Sequence, residues 1–598
     1  MSFALQLKQD SSYKKPQKLF FALFGILFLI APFYYQPNLG GEGLFIPHNS
    51  TIWIVATWII AAASFMIYRT NEIVLPRYWF GLALMPIGAW ITGFVAVNNN
   101  PTEWLVRLSA ITGGYLFFLS LFQFRLTKQQ IVNALIIVVL MGFIAAFFGL
   151  AQALGWSKHF SFIPFSPSQT PVGIFQQINI QTSFMVTMLV LILYIASSFT
   201  QSKISPAVTL LLIITAFFAS YTVSLSGSRV GLLGIALSLP LMLISRWKEL
   251  CTKKSILIGL LLTMCIGGFL GKEGVISTSN KIERSITNIG GMEGDIRWKI
   301  YIQSWEIFKE SPLIGHGLGS FQKVFQERRA DIQTQGITSF GDAPRFSHPH
   351  NEFIFWLVEG GALSVIGILC AVAATLTLFY KLGWRKGLSL TALLIPITLH
   401  TQVELPFYIS NTPWLLFLFL LFLCHNYDKK IFSTEVISTA ARTTISLSFF
   451  FISLVSSFAL VNAQSANAGI VKYLQLNQSY PQNLLPALNN AYFREYATYL
   501  ALRRQLFLGI KGKKLEPAKT YIQWAENSLK TVPAPQTYRD LVIAYHYLGD
   551  ENNARRTLQH ALSIYSEDMG LLELSEKINK ESAQSPNKDS DSVGLERD

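Results

Sequence analysis

Residues 347–361 read SHPHNEFIFWLVEGG, which places two histidines, an asparagine and a carboxylate at the start of a long apolar run. Most of the chain before this stretch is apolar, and the longest polar interval between apolar segments, 272–350, ends within it. Ionisable side chains that concentrate where a polar loop enters an apolar segment indicate a functional site. The stretch therefore predicts chemistry at a membrane surface.

The composition of the whole chain is that of a membrane protein. Of its 598 residues 51% are hydrophobic and 14% charged, whereas soluble domains carry about 25% charged residues. The formal net charge of +14 comes mainly from Lys and Arg in short loops, without a long basic patch, which argues against nucleic-acid binding. The four cysteines lack the spacing of a zinc site or a disulfide framework.

Thirteen apolar segments approach the length of about 20 residues that a membrane-spanning helix needs. Basic residues occupy alternate loops, and such loops stay in the cytoplasm. This pattern places the N-terminus inside, and the 272–350 loop and everything after about residue 463 outside, which in a bacterium is the periplasm. The first segment lacks a cleavage site and is predicted to be retained. The segments are 19–35, 51–68, 78–97, 104–123, 131–153, 180–199, 207–225, 229–245, 255–271, 352–380, 388–406, 412–427 and 443–462.

The predicted fold class is an all-α polytopic membrane protein with about 12–13 transmembrane helices and a C-terminal tetratricopeptide-like domain. The run 537–564 has the spacing of small and large residues of a tetratricopeptide helix pair. Stacked pairs of this kind bind protein or peptide. The predicted order is a cytoplasmic tail (1–18), transmembrane helices 1–9 (19–271), a periplasmic catalytic loop (272–350), transmembrane helices 10–13 (351–462), a periplasmic helical-repeat domain (463–580) and a disordered tail (581–598).

His350 is the candidate general base, because a neutral imidazole near a carboxylate accepts protons at neutral pH. The alternative is that His350 and Asn351 cap the following helix, for which Asn is well suited. A metal held by His348 and His350 is a further alternative. It would need more ligands, and His316, Asp342 and His400 lack a recognisable spacing.

Three arginines lie near the predicted outer ends of spans or in the large loop. Arg229 follows a tight Ser-Gly-Ser turn, and Arg297 begins the Arg-Trp segment of the large loop, within the amphipathic stretch 295–309. A guanidinium binds phosphate in a bidentate manner, so Arg229 and Arg297 are candidates for an anionic donor group. For Arg107 the favoured interpretation is a side chain that snorkels or pairs with a helix end.

Further polar residues lie at two other predicted outer ends. They are expected either to orient sugar hydroxyls or to cap helices. Glu359, inside the span after His350, is a buried carboxylate that needs a partner. The Gly-rich stretch 311–321 has no nucleotide-loop pattern and is predicted to be a turn. The candidates for substrate positioning are Gln177, Asn179, Asn351, Glu404 and Tyr408.

Four motifs together resemble the O-antigen ligase superfamily of bacterial membrane glycosyltransferases. Their order and placement match the pattern of a multi-span fold whose large periplasmic loop ends in a His-Asn pair. The resemblance covers roughly residues 100–425. The motifs are Gln176-Gln-Ile-Asn179, Ser226-Gly-Ser-Arg229, Arg297-Trp298 with SPLIGHGLG at 311–319, and His350-Asn-Glu352 with Val358-Glu-Gly-Gly361.

Within this superfamily the chain looks most like the O-linking oligosaccharyltransferases (PglL-like), because of its His-Pro-His-Asn form, the 403–408 element VELPFY and the C-terminal helical domain. The resemblance implies a glycan on undecaprenyl pyrophosphate as donor and Ser/Thr hydroxyls of pilins or other exported proteins as acceptors. It implies His350 as base, with His348 as the open alternative. Arg229 and Arg297 would stabilise the pyrophosphate, with neither metal nor cofactor.

The resemblance also implies a Gram-negative inner-membrane protein with its active site and C-terminus in the periplasm. Two other functions stay open. An O-antigen ligase or polymerase would use a saccharide acceptor. A polytopic transporter would line a path with the same polar residues, but here those residues cluster at one face.

Overall fold

The computed structural model describes residues 14–96, 100–166, 168–198, 204–287, 296–335, 340, 343, 345–428, 432–435 and 438–584. Asp342 and most of the predicted tail 581–598 lie outside these ranges, so the predictions for them stay untested. The described part of the chain is mostly helical. Its α-helices are α1 Lys14–Leu29, α2 Pro47–Thr70, α3 Trp79–Val95, α4 Pro101–Gln123, α5 Lys128–Ala153, α6 Ile178–Ser198, α7 Pro206–Ser226, α8 Arg229–Cys251, α9 Lys254–Leu270, α10 Lys272–Thr287, α11 Ile296–Glu310, α12 Phe321–Thr334, α13 Glu352–Leu382, α14 Trp384–His400, α15 Pro406–Ile409, α16 Asn411–His425, α17 Thr439–Gln475, α18 Leu485–Leu488, α19 Arg494–Lys511, α20 Glu516–Ser528, α21 Pro535–Tyr547, α22 Glu551–Ile564 and α23 Met569–Gln584.

All thirteen predicted apolar segments coincide with helices, which confirms an all-α polytopic membrane protein. Within the described ranges nine helices are long and apolar enough to cross a membrane, or ten if α9 and α10, bent by 60°, form one span. The remaining three are short: α3 and α14 have 17 residues each and α16 has 15. At about 1.5 Å per residue such helices fall short of the roughly 30 Å hydrocarbon core. The predicted count of 12–13 spans is therefore higher than length and composition support.

Helix α6 is the centre of the membrane part. It is buried along nearly its whole length and packs against α5, α7, α8 and α14. Its Gln181 donates a hydrogen bond to the Ala145 carbonyl at 3.0 Å. By contrast, α17 packs along α2 and leaves most of its surface exposed. Helices α6, α8 and α14 thus pack against one another.

Two sets of connections meet at opposite ends of the helices. At one end, β1 (Glu72–Leu75) and β2 (Phe432–Glu435) pair antiparallel, so the basic loops at 69–77 and 429–442 share a side. At the other, Phe45 of the first loop packs on Tyr496 of the C-terminal region, with ring centroids 5.8 Å apart. This grouping agrees with the alternation that the loop charges predict. The short sheet itself was not predicted.

Helix α13 is broken at Gly361, which has a φ of 61°. The Gly-rich stretch 311–319 lies against this break: the His316 and Gly317 amides donate to the Val358 and Glu359 carbonyls, both at 2.9 Å. A Cβ on Gly361 would lie 2.5 Å from the Gly315 nitrogen, so only glycine fits. The predicted turn is therefore present, and it also satisfies backbone groups freed by the break, as membrane depth requires.

The region after the last span is a stack of antiparallel helices. The predicted tetratricopeptide-like pair 537–564 corresponds to α21 and α22, and the stretch before it contributes α20. Ala544, Ala554 and Leu558 lie in its core. Helix α17 runs continuously through residue 463, so the predicted domain boundary falls inside a helix. Helix α12 of the large loop packs against α22, which joins the loop to this domain.

Candidate active site

The His350 turn is fixed by local backbone contacts. Asn351 caps α13, accepting a hydrogen bond from the Ile354 amide at 2.9 Å, and its Nδ2 donates to the Gln402 carbonyl at 2.9 Å. His350 itself is left-handed, with a φ of 56°. A non-glycine residue in this region costs about 1–3 kcal/mol, a strain that accumulates at functional sites. The predicted capping interaction is present, and it brings the turn against the end of α14.

This turn places the His350 side chain on Glu404. Nδ1 of His350 lies 2.7 Å from Oε1 of Glu404, and the side chains are 30% and 10% exposed. Burial alone would raise the pKa of Glu404, but the hydrogen bond from His350 and the neighbouring positive groups hold that pKa below its usual value. The ionised carboxylate only accepts hydrogen bonds, so Nδ1 carries a proton, and in the neutral ring the lone pair lies on Nε2. The geometry supplies an oriented base.

His348 differs from His350 in both its contacts and its basicity. Its Nδ1 accepts the backbone amide of His350 at 3.2 Å, and the two rings stack edge-to-face at 4.5 Å. Burial, followed by the field of His350, lowers the pKa of His348 to about 4. His348 is therefore neutral at pH 7. Its proton is on Nε2, and the lone pair of Nδ1 already accepts the His350 amide. Of the two predicted candidates, His350 has the geometry of a base.

Arg297, on the first turn of α11, completes this group. Its Nη2 lies 3.7 Å from Oε2 of Glu404, and its side chain is 40% exposed. One carboxylate thus contacts both the imidazole and a guanidinium that still faces solvent. We call His348, His350, Arg297 and Glu404 the His350 cluster.

Arg229 lies at the start of α8, apart from the His350 cluster. Its side chain is exposed, and within the described ranges no residue forms a hydrogen bond or ion pair with it. The preceding Ser228 hydroxyl donates to Asn179 Oδ1 at 2.8 Å, which ties α8 to α6. The Gln177 side chain caps α6 through the Ile180 amide at 2.7 Å. Gln177 and Asn179 therefore act on the helix ends in this structure, and a role toward substrate stays a prediction.

A hydrogen-bonded link connects these helix ends to the cluster. Ser183 of α6 lies 2.7 Å from Nδ1 of His400, at the end of α14. The His400 carbonyl accepts the Glu404 amide at 3.0 Å. The first turns of α6 and the turn that carries Glu404 are therefore held together. His400, considered above only as a metal ligand, positions the Glu404 turn.

Arg107 is the centre of a second, buried ionic group. Its Nε donates to Glu103 at 3.0 Å and its Nη1 pairs with Glu359. The other Glu359 oxygen accepts the Phe321 amide at 3.0 Å. Glu359 thus has the partner that its burial required, and Arg107 is paired rather than snorkelling. The guanidinium also lies 5.2 Å from the ring centroid of Tyr408, so Tyr408 packs in this group.

The ligand atoms of His348, His350 and Glu404 lie within 4.8 Å of one another and could hold a metal ion. Two imidazoles and a carboxylate suit zinc or a similar ion. Arg297, however, places a positive charge 3.7 Å from the same carboxylate, which opposes a cation there. His350 Nδ1 is also already satisfied by Glu404. These contacts favour a proton-transfer group over a metal centre.

The activity of the protein is therefore expected to be unchanged after dialysis against a strong chelator, because the Glu404–His350 pair needs no ion to accept a proton. The measurement compares the rate before and after dialysis, and after return of Zn²⁺ or Mn²⁺. A loss that one of these ions restores would assign the cluster to a metal.

Family comparison bears directly on these residues. Residues 214–370 match the family model described as O-antigen ligase. Residues 388–574 match the model described as the C-terminal part of virulence factor membrane-bound polymerase. Together they cover more than half of the chain and follow each other in order. The chain belongs to the O-antigen ligase superfamily. No curated protein matches the chain at a significant level.

The superfamily consists of membrane glycosyltransferase-like ligases and polymerases. The O-antigen ligase match contains Arg229, Arg297 and His350, and the second match contains Glu404 and continues through α22. The superfamily regions therefore carry both halves of the His350–Glu404 pair.

Sequence reasoning missed that Glu404 pairs with His350; it expected Glu404 either to orient sugar hydroxyls or to cap a helix. The two residues are 54 positions apart, and no local pattern links them. The available signal was the placement of both at predicted outer ends of spans, which brings such residues to one face.

Proposed function

We propose that this protein transfers a preassembled oligosaccharide from undecaprenyl pyrophosphate to Ser/Thr hydroxyls of exported proteins such as pilins. The reaction takes place on the periplasmic face of the Gram-negative inner membrane. The observation that carries the proposal is the 2.7 Å contact between Glu404 and His350, which leaves Nε2 available at the end of the spans. Membership of a superfamily of glycan ligases and polymerases supplies the reaction class.

In the proposed step, Nε2 of His350 takes the proton of the acceptor hydroxyl, whose oxygen attacks the anomeric carbon. The bond from that carbon to the pyrophosphate oxygen breaks, and the electron pair leaves with the lipid pyrophosphate. Glu404 stabilises the imidazolium as it forms, as the carboxylate of a catalytic triad does. The proton then passes from His350 to solvent.

The leaving pyrophosphate needs positive charge on the same face. Arg297 lies 3.7 Å from Glu404 and is 40% exposed, which places a positive charge beside the base. Arg229 adds an exposed cation at the start of α8. Preorganised cations of this kind stabilise charge that develops in a transition state. The apolar spans are suited to hold the polyprenyl tail.

Support for a protein acceptor comes from the C-terminal helices. The pair α21 and α22 has the arrangement of repeats that bind peptides. A saccharide acceptor is the second candidate, because residues 388–574 match the C-terminal model of a polymerase. The two candidates share the donor and the base and differ in the acceptor alone.

The test uses cells that lack their own ligase and contain a lipid-linked glycan and a candidate pilin. Intact-protein mass spectrometry is expected to show a gain of one glycan mass with the wild type and none with His350→Ala. Replacing the acceptor serine by alanine controls for non-specific attachment. Glycan on lipid A core, or longer glycan chains with an unmodified pilin, would reject the protein acceptor and favour ligase or polymerase.

A further inference from the structure

Helix α12 contacts two parts of the protein at once. Ala330 is buried in the hydrophobic core of the C-terminal domain, together with Leu558. Gln333 Nε2 donates to the carbonyls of Ser563 and Ile564, both at 2.9 Å. On the other side, Gln333 Oε1 accepts the Phe340 amide at 3.3 Å. The C-terminal domain and the segment that leads to the histidines therefore share one helix.

Arg329 is the buried centre of this contact. Its side chain is fully enclosed, and Nη1 donates to the Ala343 carbonyl at 3.1 Å. The guanidinium lies 5.2 Å from the ring centroid of Phe340, 5.8 Å from that of Phe346 and 5.2 Å from that of Tyr565. Cation–π contacts are strongest where water is excluded. Arg329 thus holds rings of the large loop and of the C-terminal domain together.

The third ring, Tyr565, is fixed by its own domain. Its hydroxyl donates to the Pro533 carbonyl at 2.5 Å, and the side chain is buried. Phe346, on the loop side, also packs against Phe325 with ring centroids 5.6 Å apart. In the sequence, His348 lies two residues after Phe346, and His350 lies four residues after Phe346. Tyr565 is therefore connected through Arg329 and Phe346 to the segment that carries the His350 turn.

We propose that Arg329 and Tyr565 are positioning residues through which the C-terminal domain holds the His350 turn in its reactive geometry. The inference rests on the proposed function for the identity of the base. The inference goes beyond the proposed function because it assigns the C-terminal domain a part in the rate of transfer, in addition to the binding of a protein acceptor. Deleting the domain would remove both roles at once, so point substitutions are needed to separate them.

The size of the effect follows from the geometry of proton transfer. A misplacement of about 1 Å far from the chemistry can cost roughly 10²-fold in rate. The left-handed turn at His350, with a φ of 56°, persists only when its surroundings impose it. Loss of packing at Arg329 is expected to lower kcat and to leave the KM for the donor nearly unchanged.

The experiment measures release of lipid pyrophosphate by the purified full-length protein, with a short serine peptide as acceptor. Tyr565→Ala and Arg329→Met are expected to lower kcat by about tenfold or more. Tyr565→Phe keeps the ring, and Arg328→Met changes a partly exposed neighbour that pairs with Glu310 at 3.7 Å. Arg328→Met is expected to stay within about twofold of the wild type. Tyr565→Phe loses only the hydrogen bond to the Pro533 carbonyl and is expected to lower kcat less than Tyr565→Ala.

Each outcome decides the proposal. A normal kcat for Tyr565→Ala and Arg329→Met, with a higher KM for a protein acceptor alone, would overturn it and leave the domain as a recruiting module. Thermal unfolding identifies variants that do not fold. If Arg329→Met is one of them, the Tyr565→Ala and Tyr565→Phe pair carries the test. If the wild type uses only a saccharide acceptor, the proposed function fails, and the same comparison is made with that acceptor.

Discussion

Replacing His350 by Asn is expected to slow glycan transfer by about 10²- to 10⁴-fold, the usual contribution of a general base. The hydrogen bond from Nδ1 to Glu404 at 2.7 Å leaves Nε2 as the proton acceptor, and an asparagine cannot take that proton. The measurement is the release of lipid pyrophosphate by purified protein at saturating donor.

His348→Asn is the matched control for this substitution. Its Oδ1 can accept the His350 amide as Nδ1 of His348 does at 3.2 Å, so the turn is preserved. Because burial lowers the pKa of His348 to about 4, the imidazole lost is a weak base, and most of the rate is expected to remain. The reverse order, with His348→Asn inactive and His350→Asn active, would make His348 the base.

Arg107→Met is expected to cause the largest loss of stability, about 3–5 kcal/mol, because it leaves the Glu359 carboxylate buried without its cation. The Glu359 side chain is 2% exposed and that of Arg107 10%. The measurement is the thermal inactivation of the purified protein, compared with the wild type in the same detergent.

The double variant Arg107→Met with Glu359→Gln separates lost charge pairing from lost packing. Glutamine keeps an oxygen for the Phe321 amide, which Glu359 accepts at 3.0 Å, and removes the unpaired charge. Recovery of much of the lost stability is expected, since neutral replacement of both partners is tolerated better than removal of one. A double variant as unstable as Arg107→Met alone would show that the ion pair is not the cause.

Features that depend on neighbouring residues were predictable from the sequence. The Asn351 cap joins residues three apart, and the helix pair at 537–564 follows from its own periodicity. The apolar segments predicted the positions of the membrane helices for the same reason. The number of these helices that are long enough to cross the membrane was harder to predict. Helix α16, for example, has only 15 residues and ends at His425, although the predicted apolar segment runs to residue 427.

Features that depend on the packing of distant segments were not predictable in detail. Arg107 and Glu359 are 252 positions apart. The sequence identified Glu359 as a carboxylate in need of a partner, and Arg107 as a side chain that snorkels or pairs with a helix end. The docking of the Gly-rich stretch on the break at Gly361 requires knowledge of two backbones at once. The same holds for Arg329, whose neighbours come from the large loop and the C-terminal domain.

The most direct test of the central claim, that Glu404 orients His350 as the base, is a double-mutant cycle on the transfer rate. Glu404→Gln is expected to slow transfer by about 10²-fold or more in the wild type, because the carboxylate orients the imidazole and stabilises its charged form. In a His350→Asn background the same change is expected to have little further effect, since residues that act as a unit are not additive. An equal factor in both backgrounds would show that Glu404 acts independently of His350 and would contradict the account.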